Sequence, residues 1–163
     1  MGQIKIYYFE TLDSTNNKAK ELNAPENEYV IYTKKQTKGR GQYDRIWISK
    51  TGLTFSIVTK KENANYSSIV PNAIIDYLYE KGIEATIKYP NDIYYQNKKL
   101  GGILIENIYH DNLYNKTIIG IGLNINEDID IEKKIDNSIC IKLEETGVEI
   151  IEEISSRILQ KNN

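Results

Sequence analysis

Ile4 to Phe9, "IKIYYF", is a short block of β-formers and predicts an opening strand. The spacing then changes. In "DSTNNKAKELN", Asp13 and Ser14 are N-cap types ahead of Ala19 and Leu22, so a short helix is expected to begin near Ser14. Tyr29 to Lys34 and Thr54 to Lys60 return to strand character on either side of a polar, glycine-bearing loop. From Ser67 to Lys81 the residues Ile69, Val70, Ala73, Ile74, Tyr77 and Leu78 fall on one helical stripe, and Gly82 suits its C-terminal cap. "ATIKYPNDIYYQNKKLGGILIENIY" predicts a strand to Tyr89, a Pro-Asn-Asp bend, a hairpin turning near Gln96 to Lys99, and a long strand from Leu100. "LYNKTIIGIGLNIN" is expected to be its antiparallel neighbour, after a turn at His110 to Asn112. Val148, Ile151, Ile154, Ile158 and Leu159 close the chain at helical spacing. No longer period repeats, which excludes solenoids and propellers. The elements predict an α+β domain, with helices covering a mostly antiparallel or mixed β-sheet and residues 1–163 forming a single domain.

Composition sets limits on function. A chain of 163 residues with 40% hydrophobic content can bury a core, and thirteen tyrosines scattered throughout mark no linker. A net charge of -2 and a pI near 5.6 argue against a general nucleic-acid binder, so any anion site must be local. "MGQIKIYYFE" has no apolar signal core, and no run approaches the roughly 18 apolar residues of a membrane span. Cys140 is the single cysteine and cannot form an internal disulfide, which fits a reducing, cytoplasmic setting.

Positive charge is concentrated in "TKKQTKGRGQYDRIWIS", Thr33 to Ser49, where five basic residues and one acid, Asp44, lie between Lys34 and Arg45. Two readings are open: a solvated surface loop, or a phosphate-binding loop in which Gly39 and Gly41 let the backbone approach and Arg40 offers a planar fork of donors. One charge pair at ~4 Å and an effective dielectric of about 20 is worth roughly 4 kcal/mol before desolvation, enough to orient a phosphate. The P-loop pattern does not occur, and "GIG" at Gly120 to Gly122 fails the dinucleotide fingerprint because Ile125 stands where the third glycine belongs. Those two glycines mark either close packing or ligand contact. In "KYPNDIYYQNKKLGGILIE", Lys88, Asn91, Asp92 and Lys99 are expected near one end of adjacent strands, where a cation beside glycines suits a carboxylate or acyl phosphate. Asp92 is either a magnesium ligand or the cap of an Asx turn. His110 has no second histidine and Cys140 no histidine nearby in sequence, so no covalent nucleophile stands out. Chemistry here would rest on positioning two substrates and stabilising charge.

Taken in order, "DSTN" (Asp13 to Asn16), "QTKGRGQ" (Gln36 to Gln42), Trp47, "KYPND" (Lys88 to Asp92), "KKLGGILIE" (Lys98 to Glu106) and "GIGLNIN" (Gly120 to Asn126) resemble the catalytic domain of biotin protein ligases over about Ile6 to Asn126. The resemblance implies a class II aminoacyl-tRNA synthetase-like fold and a two-step reaction. Biotin and MgATP form biotinyl-5′-adenylate, and a lysine of a biotin carboxyl carrier protein then attacks it. It also implies that Ser14, Thr15, Asn16, Gln36 and Gly39 line the biotin pocket, and that Gly101 and Gly102 leave room for the acyl chain. Arg40 and Lys99 would be catalytic, meeting the phosphates and bridging carboxylate to α-phosphate. Gln42, Trp47, Lys88, Asn91 and Asn124 would lie on the nucleotide side, with Asp92 on Mg2+.

Two positions depart from the family pattern: Gln42 replaces the second arginine of G-R-G-R, and Tyr89 the tryptophan before Pro-Asn-Asp. The chain starts without the family's helix-turn-helix and stops at Asn163 without its SH3-like domain, so transcriptional repression and DNA binding are not expected. A monomer or homodimer is expected, away from membranes. The rival readings are a lipoate protein ligase, whose Arg-Arg-x-x-Gly-Gly-Gly-type stretch is missing, and a non-catalytic biotin or biotinyl-adenylate binding module, which would not need both Arg40 and Lys99.

Overall fold

The computed structural model describes residues 3–41, 52–126 and 137–160. Along them run β1 (Lys5–Leu12), α1 (Thr15–Glu21), β2 (Glu28–Gln36), β3 (Leu53–Thr59), α2 (Tyr66–Glu80), β4 (Thr86–Lys88), β5 (Asp92–Tyr95), β6 (Lys98–His110), β7 (Leu113–Leu123) and α3 (Gly147–Gln160). The strands form a seven-stranded sheet in the order β1-β2-β3-β7-β6-β5-β4. β1 and β2 are parallel, joined across the sheet face by α1, and the remaining neighbours are antiparallel. This is the expected α+β architecture with a mixed sheet.

Local sequence explains the punctuation. Asn and Asp tolerate left-handed backbone, and both tight hairpins use them: Gln96 and Asn97 have φ of 51° and 61°, and Asp111 and Asn112 have φ of 51° and 64°. The first hairpin turns on Gln96 and Asn97, so Lys98 already pairs with Tyr95 and the strand begins two residues before Leu100. After α2, Gly82 (φ 81°) donates to Tyr79 O while Ile83 donates to Leu78 O, the paired bonds of a Schellman cap.

Side chains alternate across the central strands and divide the molecule into two layers. Leu53, Phe55 and Ile57 of β3, Ile119, Ile121 and Leu123 of β7, and Ile103 of β6 turn toward α2 and α3. There they meet Val70, Ile74, Leu78, Ile150, Ile151, Ile154 and Ile158 in the main core. An ion pair of Arg157 with Glu80 ties the two helices at the surface, and Lys81, just after α2, pairs with Glu145, just before α3. On the opposite face α1 contributes Ala19 to a smaller cluster with Ala24, Tyr29, Ile31, Val58 and Ile118.

α1 is short, and its two ends are held by side chains. Ser14 Oγ accepts from Asn17 N at 3.2 Å as the N-cap. At the other end Lys116, only 3% exposed, reaches from β7 to donate to the carbonyls of Ala19 (2.6 Å) and Leu22 (3.2 Å). Burial, with Lys60 nearby, pulls the Lys116 pKa below its ordinary value. Desolvation thus offsets part of what these bonds contribute. Lys116→Ala is predicted to destabilise the protein by about 2 kcal/mol, by removing this donor from the Ala19 carbonyl and leaving Leu22 O only the Tyr29 hydroxyl, and Lys116→Met by less, since it fills the space without a charge to bury. Urea unfolding measures both; a Lys116→Met variant as stable as wild type would show that packing, not the carbonyl bonds, holds α1.

Candidate active site

The face of the sheet under α1 has no large side chain at its centre. Register places Thr54 beside Gly122 and Gly122 beside Gly102; the next row is Ser56, Gly120 and Leu104. Three glycines and two hydroxyl residues therefore floor a cleft where the other face carries Phe55, Ile121 and Ile103. The walls come from the N-terminal turn of α1 (Ser14, Thr15, Asn16), the end of β2 with its following loop (Gln36, Arg40, Gly41), the Pro90-Asn91-Asp92 bend and Lys99.

Asn16 stands at the centre of this arrangement and is 4% exposed. Its Nδ2 donates to Glu106 Oε1 at 2.9 Å and Leu104 O at 3.3 Å, while Oδ1 accepts from Ser56 Oγ at 2.5 Å. Ser56 Oγ also bonds Thr15 Oγ1 at 2.8 Å, and Thr15 N donates to Gln36 Oε1 at 2.7 Å. This network orients the amide: both N–H groups are committed, and Oδ1 keeps a lone pair. The close approach depends on Gly120, where a Cβ would collide with Asn16 Oδ1. Asp13 anchors the turn by accepting from Asn17 Nδ2 and Ser14 N, which hold its carboxyl below the ordinary range.

Two cations flank the cleft, each beside a carboxylate. The loop after β2 continues along β1, Thr37 N donating to Leu12 O and Lys38 N to Asp13 O, and this carries Arg40 to the start of α1. Arg40 Nη2 donates to Asn17 Oδ1 and Glu106 Oε1, both at 3.1 Å, while Lys20 Nζ lies 2.8 Å from Glu106 Oε2. Burial pushes the Glu106 carboxyl up, but Lys20, Asn16 and Arg40 together outweigh it and leave the pKa below its ordinary value. Across the cleft Lys99 Nζ lies 3.3 Å from Asp92 Oδ1. Leu100 is an extra residue between the pairs Ile93–Gly101 and Tyr94–Lys99, a bulge that aims Lys99 at the cleft. The Lys99 backbone is fixed on its other side by Asn137 O, Ile139 N and Asn124 Nδ2.

Of the residues singled out in the sequence, Ser14, Thr15, Asn16, Gln36, Arg40, Asn91, Asp92, Lys99 and Gly102 line the cleft. Gly101 does not. Alternation turns it toward the helices, where a Cβ would meet Leu123 Cδ2 at 2.5 Å. Gly39 is buried just behind Arg40. Lys88 points away, its Nζ 4.8 Å from the Tyr94 ring centroid. Asn124 lies behind Lys99, and among the described residues no donor reaches its buried Oδ1. Gln42 and Trp47 lie outside the described residues. Asp92 opens β5 opposite Gly102, and its carboxylate meets Lys99 Nζ rather than capping a turn. Among the described residues no three His, Cys, Asp or Glu side chains gather as a metal cage. A lone carboxylate in the lining fits an Mg2+ ion that arrives on phosphates and keeps most of its waters. Glu106, Ser56 and Thr54 went unread in the sequence; the available signal was hydroxyls at alternate positions of an otherwise apolar strand.

Comparison with known proteins finds relatives both of the sequence and of the fold. The family model described as "Biotin/lipoate A/B protein ligase family" matches residues 8–124. The chain is 36% identical over 138 residues to the bifunctional ligase/repressor BirA of Bacillus subtilis, covering 78% of this chain and 42% of that protein. It thus spans about two-fifths of that relative's length. Its fold superposes with a TM-score of 0.80 on a biotin protein ligase from Aquifex aeolicus in complex with biotin and ATP, at 28% identity over 97% of this chain and 70% of that one. Biotin acetyl coenzyme A carboxylase synthetase from Helicobacter pylori gives a TM-score of 0.75 at 27% identity, covering 99% and 76%.

Two outcomes follow from the Asn16 network. Gly120→Ala should displace the Asn16 amide, lower stability by about 1–3 kcal/mol and weaken ligand binding in the cleft; a variant with unchanged stability and affinity would place Asn16 elsewhere. The folded Glu106 pKa lies below its unfolded value near 4.5, so its contribution to stability is present above that pH and lost as pH falls through the lowered value. Glu106→Gln should flatten this part of the acid limb, measured as urea midpoints from about pH 6 down to pH 3; a limb of unchanged slope would count against the assignment.

Proposed function

The chain belongs to the biotin/lipoate A/B protein ligase family, and we propose that it activates biotin with MgATP and transfers it to a lysine of a biotin carboxyl carrier protein or domain. The observation that carries this reading is the placement of two cations, Lys99 and Arg40, on either side of a glycine-floored cleft whose inner wall is neutral and polar. A neutral wall suits the ureido ring. With both its N–H groups committed, Asn16 can offer Oδ1 to a ureido N–H, and Thr15, Ser14 and Gln36 stand beside it. Gly102 leaves the floor open for the acyl chain.

In the first step an oxygen of the biotin carboxylate attacks the α-phosphorus of ATP, the bond to pyrophosphate breaks, and biotinyl-5′-adenylate forms. Negative charge grows on the transferring phosphoryl group, and a fixed cation worth little in water is worth far more there. Lys99, held at the bulge, is positioned to bridge carboxylate and α-phosphate; Arg40 takes the phosphate oxygens. Asp92 would hold Mg2+, which neutralises the leaving pyrophosphate. Asn91 and Asn124 stand on the nucleotide side; the buried Asn124 Oδ1, which no donor reaches among the described residues, supports this placement for Asn124. In the second step the carrier lysine amine attacks the acyl carbon, the acyl–phosphate bond breaks, AMP leaves, and the amine loses a proton to give the amide.

Among the described residues no helix is long and apolar enough to cross a membrane; the proposed reaction takes place on a carrier protein in the cytoplasm. The test is incubation with biotin, MgATP and an isolated biotin carrier domain, scored by mass on the carrier lysine. The expected result is one biotinyl group per carrier, with Lys99→Ala lowering the rate about a hundredfold or more. Modification by lipoate in place of biotin would move the chain to the lipoate branch, and biotin binding without any transfer would make it a binding module.

A further inference from the structure

We infer that Glu106 is a positioning residue that sets the Arg40 guanidinium for phosphate and ties that subsite to the Asn16 end of the cleft. The inference rests on the functional reading above and goes further into the same site. One carboxylate oxygen, Oε1, accepts from Asn16 Nδ2 at 2.9 Å and from Arg40 Nη2 at 3.1 Å. The other oxygen is held by Lys20 Nζ at 2.8 Å, so the carboxylate is fixed from below. Asn17 Oδ1 takes the second Nη2 hydrogen of Arg40, again at 3.1 Å. Both hydrogens on one guanidinium nitrogen are therefore used. The N–H groups on Nε and Nη1 have no partner among the described residues, and Arg40 lines the cleft. A guanidinium gripped by one corner presents its remaining fork in a fixed orientation, so phosphate meets a site with little left to order. Glu106 lies outside the cleft lining and acts through Arg40 and Asn16.

The chemistry predicts an asymmetry. Loss of Glu106 leaves Arg40 held only by the neutral Asn17 Oδ1 but leaves Asn16 its bonds to Leu104 O and Ser56. A phosphate-bearing ligand should suffer more than biotin alone. The experiment is calorimetric titration of the full chain with biotin and with biotinol-5′-adenylate, whose linkage does not transfer, across wild type, Glu106→Ala, Arg40→Ala and the double variant. Expected is a loss of roughly tenfold for the adenylate mimic in Glu106→Ala, and a clearly smaller loss for biotin. In the Arg40→Ala background the extra loss on the mimic should shrink to that seen for biotin. Glu106→Gln keeps an acceptor and should recover part of the affinity; it gives the same comparisons if the alanine variant does not fold. Equal losses for the two ligands, or additive effects of Glu106 and Arg40, would overturn the inference while leaving the functional reading intact. A wild-type chain that binds neither ligand overturns both.

Discussion

The structure depends on one constraint in three adjacent strands. β3, β7 and β6 must be apolar toward α2 and α3 and nearly empty toward α1. Phe55, Ile57, Ile119, Ile121 and Ile103 meet the first demand, burying area at roughly 25 cal/mol per Å2. Thr54, Ser56, Gly120, Gly122 and Gly102 meet the second, at the cost of cross-strand packing that larger residues would supply. Because strand alternation is strict, a one-residue slip would fill the cleft with isoleucine and open the core. The well-packed helix side therefore fixes the register of the empty side, and a stable sheet can carry a hole at its centre.

The empty floor sets what the walls must do. A short helix such as α1 has little intrinsic stability, so its ends are pinned, by Ser14 and Asp13 at one and Lys116 at the other. That makes its first turn rigid enough to present Asn16. The cations are treated in the same way. A charge left unpaired in a half-buried cleft would be costly, and here Arg40 and Lys99 rest against Glu106 and Asp92. A polyanionic substrate would meet guanidinium and ammonium groups already placed by those contacts, with less reorganisation left for the proposed reaction.

Much of this was legible in the sequence because it was written locally. The order of strands and helices followed from apolar spacing and from Asn, Asp and Gly at the turns; Arg40 and Lys99 followed from short motifs beside glycines, and Ser14, Thr15 and Asn16 from the family resemblance. Long-range register was not local. Glu106 reads as an ordinary surface acid in "GGILIEN" until β6 is paired with β7 and α1 is laid over both; only then does it stand between Asn16 and Arg40. Gly101 and Gly102 look equivalent as a pair, yet alternation sends one into the helix-side core and the other into the cleft. Lys88 belonged to a motif with cleft residues, but its side chain lies on Tyr94 at a short edge strand. Ser56 drew no notice in the sequence, and only the folded strand makes it a hydrogen-bonding partner of Asn16.

If this cleft makes an acyl-adenylate, biotin must control the chemistry of the triphosphate. The direct measurement is exchange of labelled pyrophosphate into ATP by the purified chain, with and without biotin and in the absence of any carrier protein. The account predicts exchange only when biotin and Mg2+ are both present, and its collapse in Lys99→Ala. Exchange that ignores biotin, or none from a protein that binds biotin and ATP together, would contradict it.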